Sequence, residues 1–99
     1  TIGHAIESFE DGALYHGECV AIGMLPMSSP KAEKRIRRVL EKYGLPTETR
    51  AGEAQLLPYI MHDKKMQSSS ISIIYVEEIG SCEIRDIPVE EIREYLAGL

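Results

Sequence analysis

No stretch of this 99-residue chain approaches the roughly 18–20 consecutive apolar residues that a bilayer-spanning helix needs, and no signal peptide is visible. No membrane association is expected. Positive charge is scarce as well: 11 Lys and Arg stand against 16 Asp and Glu, a formal net charge of −5. Nucleic-acid binding requires concentrated Lys and Arg, so a nucleic-acid partner is not expected either. The one basic cluster, Lys31, Lys34, Arg35, Arg37 and Arg38, is interleaved with Glu33 and Glu41 and reads as a solvated helix face. Cysteine is limited to Cys19 and Cys82, far apart and without C-x-x-C spacing. Both read as reduced core thiols of a cytosolic protein. Internal repeats and Gly-rich phosphate loops are absent.

What is present suffices for one domain, residues 1–99, with 43% hydrophobic residues available for a core. The chain opens at Thr1 inside a helical pattern, with neither a cap nor an initiator Met. Thr1 is therefore expected to be a cut point. A piece of a larger protein should expose the apolar face that met its partner domain.

Hydrophobic spacing predicts the elements. Ile2, Ala5, Ile6 and Phe9 share one face of a helix from Thr1 to about Glu10, which Asp11-Gly12 breaks. His16 to Met27 is apolar nearly all round and reads as a buried helix, interrupted by Met27-Ser28-Ser29-Pro30. Ser29-Pro30 starts a third helix, with Ile36, Val39, Leu40 and Tyr43 at helical spacing, and Gly44 and Pro46 end it. Glu53 to His62 is helical in composition, but Pro58 should split it into a short turn and a second helix. Met66 to Ser70 reads as a loop. Ile71 to Val76 and Cys82 to Ile87 form a hairpin around Glu78-Ile79-Gly80. Pro88 opens a last helix using Val89, Ile92, Tyr95 and Leu96. The fold expected is mainly α: a small multi-helical domain with one antiparallel β-hairpin near residues 71–87 and a C-terminal helix.

Three short segments could carry chemistry. His16, in His16-Gly17-Glu18, follows a Gly-containing turn and opens a helix, where the positive end of the dipole favours the neutral, metal-binding imidazole. A cap or core hydrogen-bonder is the simpler reading from the residues alone. His4, in Gly3-His4-Ala5-Ile6-Glu7, reads equally as a packed helix histidine. Glu18 lies two residues from His16 and should point away from its ring, so a capping or supporting role suits it better than metal ligation. Asp63-Lys64-Lys65 alone is a surface charge cluster, and His62 an exposed bystander.

Taken together, TIGHAIE, HGECVAIGM, HDKK and the EIG-containing hairpin resemble the C-terminal domain of 3-dehydroquinate synthase, in the family's order and over most of the chain. The family pattern carries a further histidine immediately before Thr1. Its HGE histidine is a zinc ligand, which makes His16 the expected metal ligand here. The resemblance makes His4 the catalytic acid/base or phosphate-side residue, four positions from the missing ligand and on the same helix face. Lys65, ahead of Lys64, would contact the substrate's anionic groups. The third zinc ligand and the NAD site belong to an N-terminal NAD-binding domain, so this piece alone is expected to bind no cofactor tightly and to be inactive.

The implied reaction converts a small phosphorylated sugar acid, 3-deoxy-arabino-heptulosonate 7-phosphate, into 3-dehydroquinate and phosphate, in a cytoplasmic homodimer using zinc and NAD. Two alternatives stand beside it: another sugar-phosphate cyclase, and a catalytically dead helical interaction module. The Met27-Ser28-Ser29-Pro30 interruption and the serines after Met66 depart from the family pattern.

Overall fold

The computed structural model describes residues 2–65, 70–97 and 99; the side chains of residues 63–65 are not among those described. Helix α1 (Ile2–Glu10) runs into a turn in which Asp11 and Gly12 both take positive φ, 47° and 92°. This left-handed pair reverses the chain, and glycine accommodates the second position without strain. Helix α2 (His16–Met24) then packs back along α1. Ile2, Ala5 and Ile6 of α1 meet Cys19 and Ile22 of α2 in the core. Each of the three isoleucines contributes about 1.5–3 kcal/mol on burial. The expectation that α2 is buried all round needs correction: Val20 and Met24 are exposed. They line an open cleft that α2 shares with the start of α1.

The interruption after α2 is a clamp. Ser28 pairs with Val76 in a parallel bridge, made by Ser29 N–H donating to Val76 O (2.9 Å) and Val76 N–H to Met27 O (2.9 Å). The Ser28 hydroxyl caps the preceding helix by donating to Met24 O at 2.7 Å. Ser29 Oγ accepts from Ala32 N–H (3.2 Å) as the N-cap of α3 (Pro30–Lys42), and donates to Glu77 O at 2.6 Å. Pro30 takes the first helical position, where its missing donor costs nothing.

Helix α3 ends as the sequence predicts. Gly44 has φ 70°, and Leu45 N–H reaches back to Leu40 O at 2.8 Å, satisfying a terminal carbonyl. Its buried line is Ala32 and Leu40, with Ile36 between them half-buried. Val39 and Tyr43, expected on the core face, are exposed. The helix touches the body of the domain chiefly through β1, so only a narrow stripe is covered. The basic residues Lys31, Lys34, Arg35 and Arg38 are solvated, and Arg37 pairs with Glu33 at 3.0 Å.

Helix α4 (Glu53–Lys65) is continuous through Pro58, which corrects the expected split. Leu56 and Ile60, one turn apart on either side of the proline, are both buried in the core, and the helix packs against α1. Pro58 and Ala54, whose carbonyl loses its partner, face solvent, so water can satisfy the orphan group. Tertiary packing outweighs the local preference.

Strand β1 (Ser70–Glu78) and strand β2 (Ser81–Pro88) form the antiparallel hairpin, turning at Ile79-Gly80 with Gly80 at φ 90°. Ser70, expected in the preceding loop, opens β1, while residues 66–69 lie outside the described residues. Ile71, Ile73 and Ile87 face the core; Ile74 and Ile84, paired across the strands, face out. Cys82 stands two residues before Ile84 and is exposed, so it is not the core thiol expected. Cys19 is buried as anticipated. After Pro88 a 3-10 turn (Val89–Glu91) precedes α5 (Ile92–Leu96), which tucks Val89, Ile92 and Leu96 into the core. The predicted class, mainly helical with one hairpin and a terminal helix, is what the chain adopts. No helix among the described residues is long and apolar enough to cross a membrane.

Candidate functional site

An open cleft of about 530 Å³ lies between the start of α1, one face of α2 and strand β1. His4 and His16 both line it, together with Gly3, Gly23, Met24 and Ile73. Two histidines singled out in the sequence therefore share one concavity. His4 also borders a smaller groove of about 310 Å³ with Ser8, Pro58, Tyr59 and His62. It stands on the ridge between the two, and His62, expected to be a bystander, is exposed on the far side of that ridge.

His16 is the first residue of α2, and its side chain is 73% exposed. Its Nδ1 lies 3.0 Å from Oε1 of Glu7, nine residues earlier on α1. The Asp11-Gly12 reversal brings these two helix positions together. Glu18 does something else: its Oε1 accepts the Tyr15 N–H at 2.8 Å, closing the first turn of α2. This is the capping role expected for it. Tyr15 itself is an exposed N-cap that makes no side-chain hydrogen bond to the helix.

A third carboxylate is held apart from the cleft. Glu10 is buried, and its oxygens accept from Thr49 Oγ1 (2.6 Å), Arg50 N (3.2 Å), and Arg50 Nε and Nη2 (3.3 and 3.0 Å). The Thr49 hydroxyl first, and then Arg50, hold its carboxyl below the ordinary value, against the opposing effect of burial. Burial first, and then the charges of Glu7, Glu10 and Glu18, push the Cys19 thiol up. Cys19 is accordingly a protonated core thiol, unsuited to nucleophilic or metal-binding work.

No group of three or more metal-binding side chains occurs among the described residues. The donors that are present still fit a shared divalent site: an exposed imidazole lining a cleft, with its other ring nitrogen against a carboxylate. Lys64 and Lys65 belong to the last turn of α4, but their side chains lie outside the described residues.

Sequence reading missed Glu7. The helical pattern and the Asp-Gly break were both visible, and together they imply a helical hairpin whose facing positions meet. What they lacked was the rotation of each helix about its axis, which decides which facing residue Glu7 reaches.

Comparison with known proteins places this geometry in a family. A family model described as 3-dehydroquinate synthase C-terminal matches residues 1–66. The 3-dehydroquinate synthase of Streptococcus sanguinis is 40% identical over 107 residues, covering 97% of this chain and 30% of the relative. Those of Lactococcus lactis subsp. cremoris and Streptococcus gordonii are 39% and 41% identical, with the same coverage of 97% and 30%. The chain thus spans 30% of the length of these curated relatives. With a family match over two-thirds of its residues, and His4 and His16 gathered in one cleft, the chain belongs to the 3-dehydroquinate synthase C-terminal family.

Proposed function

We propose that this chain is the substrate and metal domain of a 3-dehydroquinate synthase, completed by an N-terminal NAD-binding domain. The enzyme would convert 3-deoxy-arabino-heptulosonate 7-phosphate to 3-dehydroquinate and phosphate, as a cytoplasmic homodimer. The single observation that carries this reading is the shared cleft: two histidines of the family pattern, His4 and His16, both line it.

His16 is the metal ligand contributed from this side, with the remaining ligands coming from outside the chain. His4, on the ridge of the same cleft, is the acid/base at the phosphate end. Its ring nitrogen exchanges a proton with a phosphate oxygen as the C–O bond to phosphate breaks. Lys65, and Lys64 beside it, supply point charges for the substrate's carboxylate or phosphate. Bound zinc and NAD supply, respectively, polarisation of the substrate hydroxyl and its transient oxidation, which acidifies the neighbouring C–H. The apolar walls of the cleft, Met24 and Ile73 among them, limit water around the reacting carbons.

The test is phosphate release from the heptulosonate phosphate by the polypeptide that joins this chain to its NAD-binding half, with NAD and zinc supplied. Release that is lost in both His16→Ala and His4→Ala supports the reading. Release from a different sugar phosphate only, or none from either, overturns it.

A further inference from the structure

We propose that Glu7 is the positioning residue for His16, holding the imidazole as the Nδ1–H tautomer so that Nε2 is the atom presented to a divalent metal. The inference rests on the reading of His16 as a ligand and goes one step further, to which nitrogen binds and what fixes it.

The geometry assigns the partner. Oε1 of Glu7 is 3.0 Å from Nδ1, a hydrogen-bond distance, and a carboxylate can only accept. The proton therefore sits on Nδ1, and in the neutral ring Nε2 keeps its lone pair. An imidazole left to water favours the opposite tautomer, with the proton on Nε2. An acceptor at Nδ1 therefore decides which nitrogen is free to ligate.

Two other carboxylates lie near enough for their charge to reach Cys19, and both are committed elsewhere. Glu18 accepts the Tyr15 N–H, and Glu10 is saturated by Thr49 and Arg50. Of these three carboxylates, Glu7 is the one within hydrogen-bond distance of the His16 ring.

An exposed ion pair between flexible side chains would carry little weight. This contact differs in that the backbones that carry its two side chains are held at a set spacing. Glu7 stands in mid-α1 and His16 at the first turn of α2, and the two helices are locked by a left-handed turn at one end and a glycine contact at the other. Glu7 is itself more covered than its partner, at 37% exposure against 73%. An oriented ring lowers the cost of assembling a metal site whose other ligands come from outside this chain.

The experiment uses the intact polypeptide with its NAD-binding half. After metal is stripped with a chelator, imidazole ¹⁵N spectra of histidine-labelled protein report the tautomer of His16, identified by the signal missing in His16→Ala. Calorimetric titration with Zn²⁺ follows on the same samples.

The expected result is the Nδ1–H tautomer in the unsubstituted protein, and in Glu7→Ala a shift towards Nε2–H with zinc affinity about 10–100-fold weaker. Glu7→Gln, whose amide oxygen can still accept, should recover part of both effects. An Nε2–H tautomer in the unsubstituted protein overturns the inference. So does affinity that His16→Ala abolishes but Glu7→Ala leaves unchanged. Zinc affinity indifferent to His16→Ala instead sinks the ligand reading itself, whatever the tautomer.

Discussion

Gly3 and Gly23 meet backbone to backbone: a Cβ placed on Gly23 would lie 2.6 Å from Gly3 N and 2.8 Å from its Cα. A Cβ on Gly3 would in turn crowd Val20 Cα at 3.1 Å. No side chain separates α1 from α2 at this crossing, and His4 follows Gly3 directly. The approach that packs the helices therefore also sets how His4 stands to the cleft.

Gly23→Ala should consequently cost about 1–3 kcal/mol, since backbone rather than a flexible side chain must give way. Gly17→Ala is the contrasting case. Nothing lies within 4 Å of its added methyl, and the better helix former should leave stability unchanged or raise it by up to about 0.5 kcal/mol. Urea denaturation of the two variants checks the pair. Equal effects would refute the close-contact account.

The buried Glu10 makes the fold acid-sensitive. Its carboxyl is held below its ordinary value of 4.5 in the folded chain, by Thr49 first and Arg50 after it. A depressed carboxyl stabilises the fold at pH values above its unfolded pKa, and that contribution is lost as pH falls through the folded one. Stability should therefore decline from about pH 4.5 downward. Glu10→Gln should lower stability at pH 7 by about 1–3 kcal/mol and flatten the acid slope. Urea midpoints between pH 7 and pH 3, compared across the two proteins, give the answer.

Ser29 serves two elements at once. It caps α3 through Ala32 N–H and donates its hydroxyl to Glu77 O, tying the hairpin to the helix start. Ser29→Ala should cost about 1 kcal/mol as a lost cap. It should also speed hydrogen exchange at the Val76 amide, which is bonded to Met27 O beside it. An exchange rate unchanged at Val76 would mean that the backbone bridge holds without the hydroxyl.

Much of this fold was legible because its signals are local. The period of Ile2, Ala5 and Ile6, the Ser29-Pro30 start and the Gly44-Pro46 stop each act within a turn of chain. What could not be read depended on distant partners. Pro58 stays helical because Leu56 and Ile60 are both anchored against the core. Cys82 and Ile84 face outward because β2 sends Ile87, odd-numbered against them, to the core. Glu10 finds Arg50 forty residues away, with no pattern to announce it. The candidate site divides in the same way: motif spacing gave His4 and His16, whereas Glu7 needed the rotation of two helices.

The division of labour proposed for the two histidines yields the sharpest prediction for the polypeptide joined to its NAD-binding half. His16 sits at a helix start with one nitrogen against Glu7, whereas His4 stands on the ridge where two grooves meet. If His16 ligates and His4 moves protons, their losses must differ in kind. His16→Ala should abolish tight zinc binding, and activity should go with it. His4→Ala should keep zinc affinity within a few-fold and still lower kcat by about 10²–10⁴, the usual worth of a positioned acid/base. Paired zinc calorimetry and steady-state phosphate release on both variants separate the roles. If His4→Ala loses the metal and His16→Ala keeps it, the assignments must be exchanged, and the contact with Glu7 would then orient a proton carrier instead of a ligand.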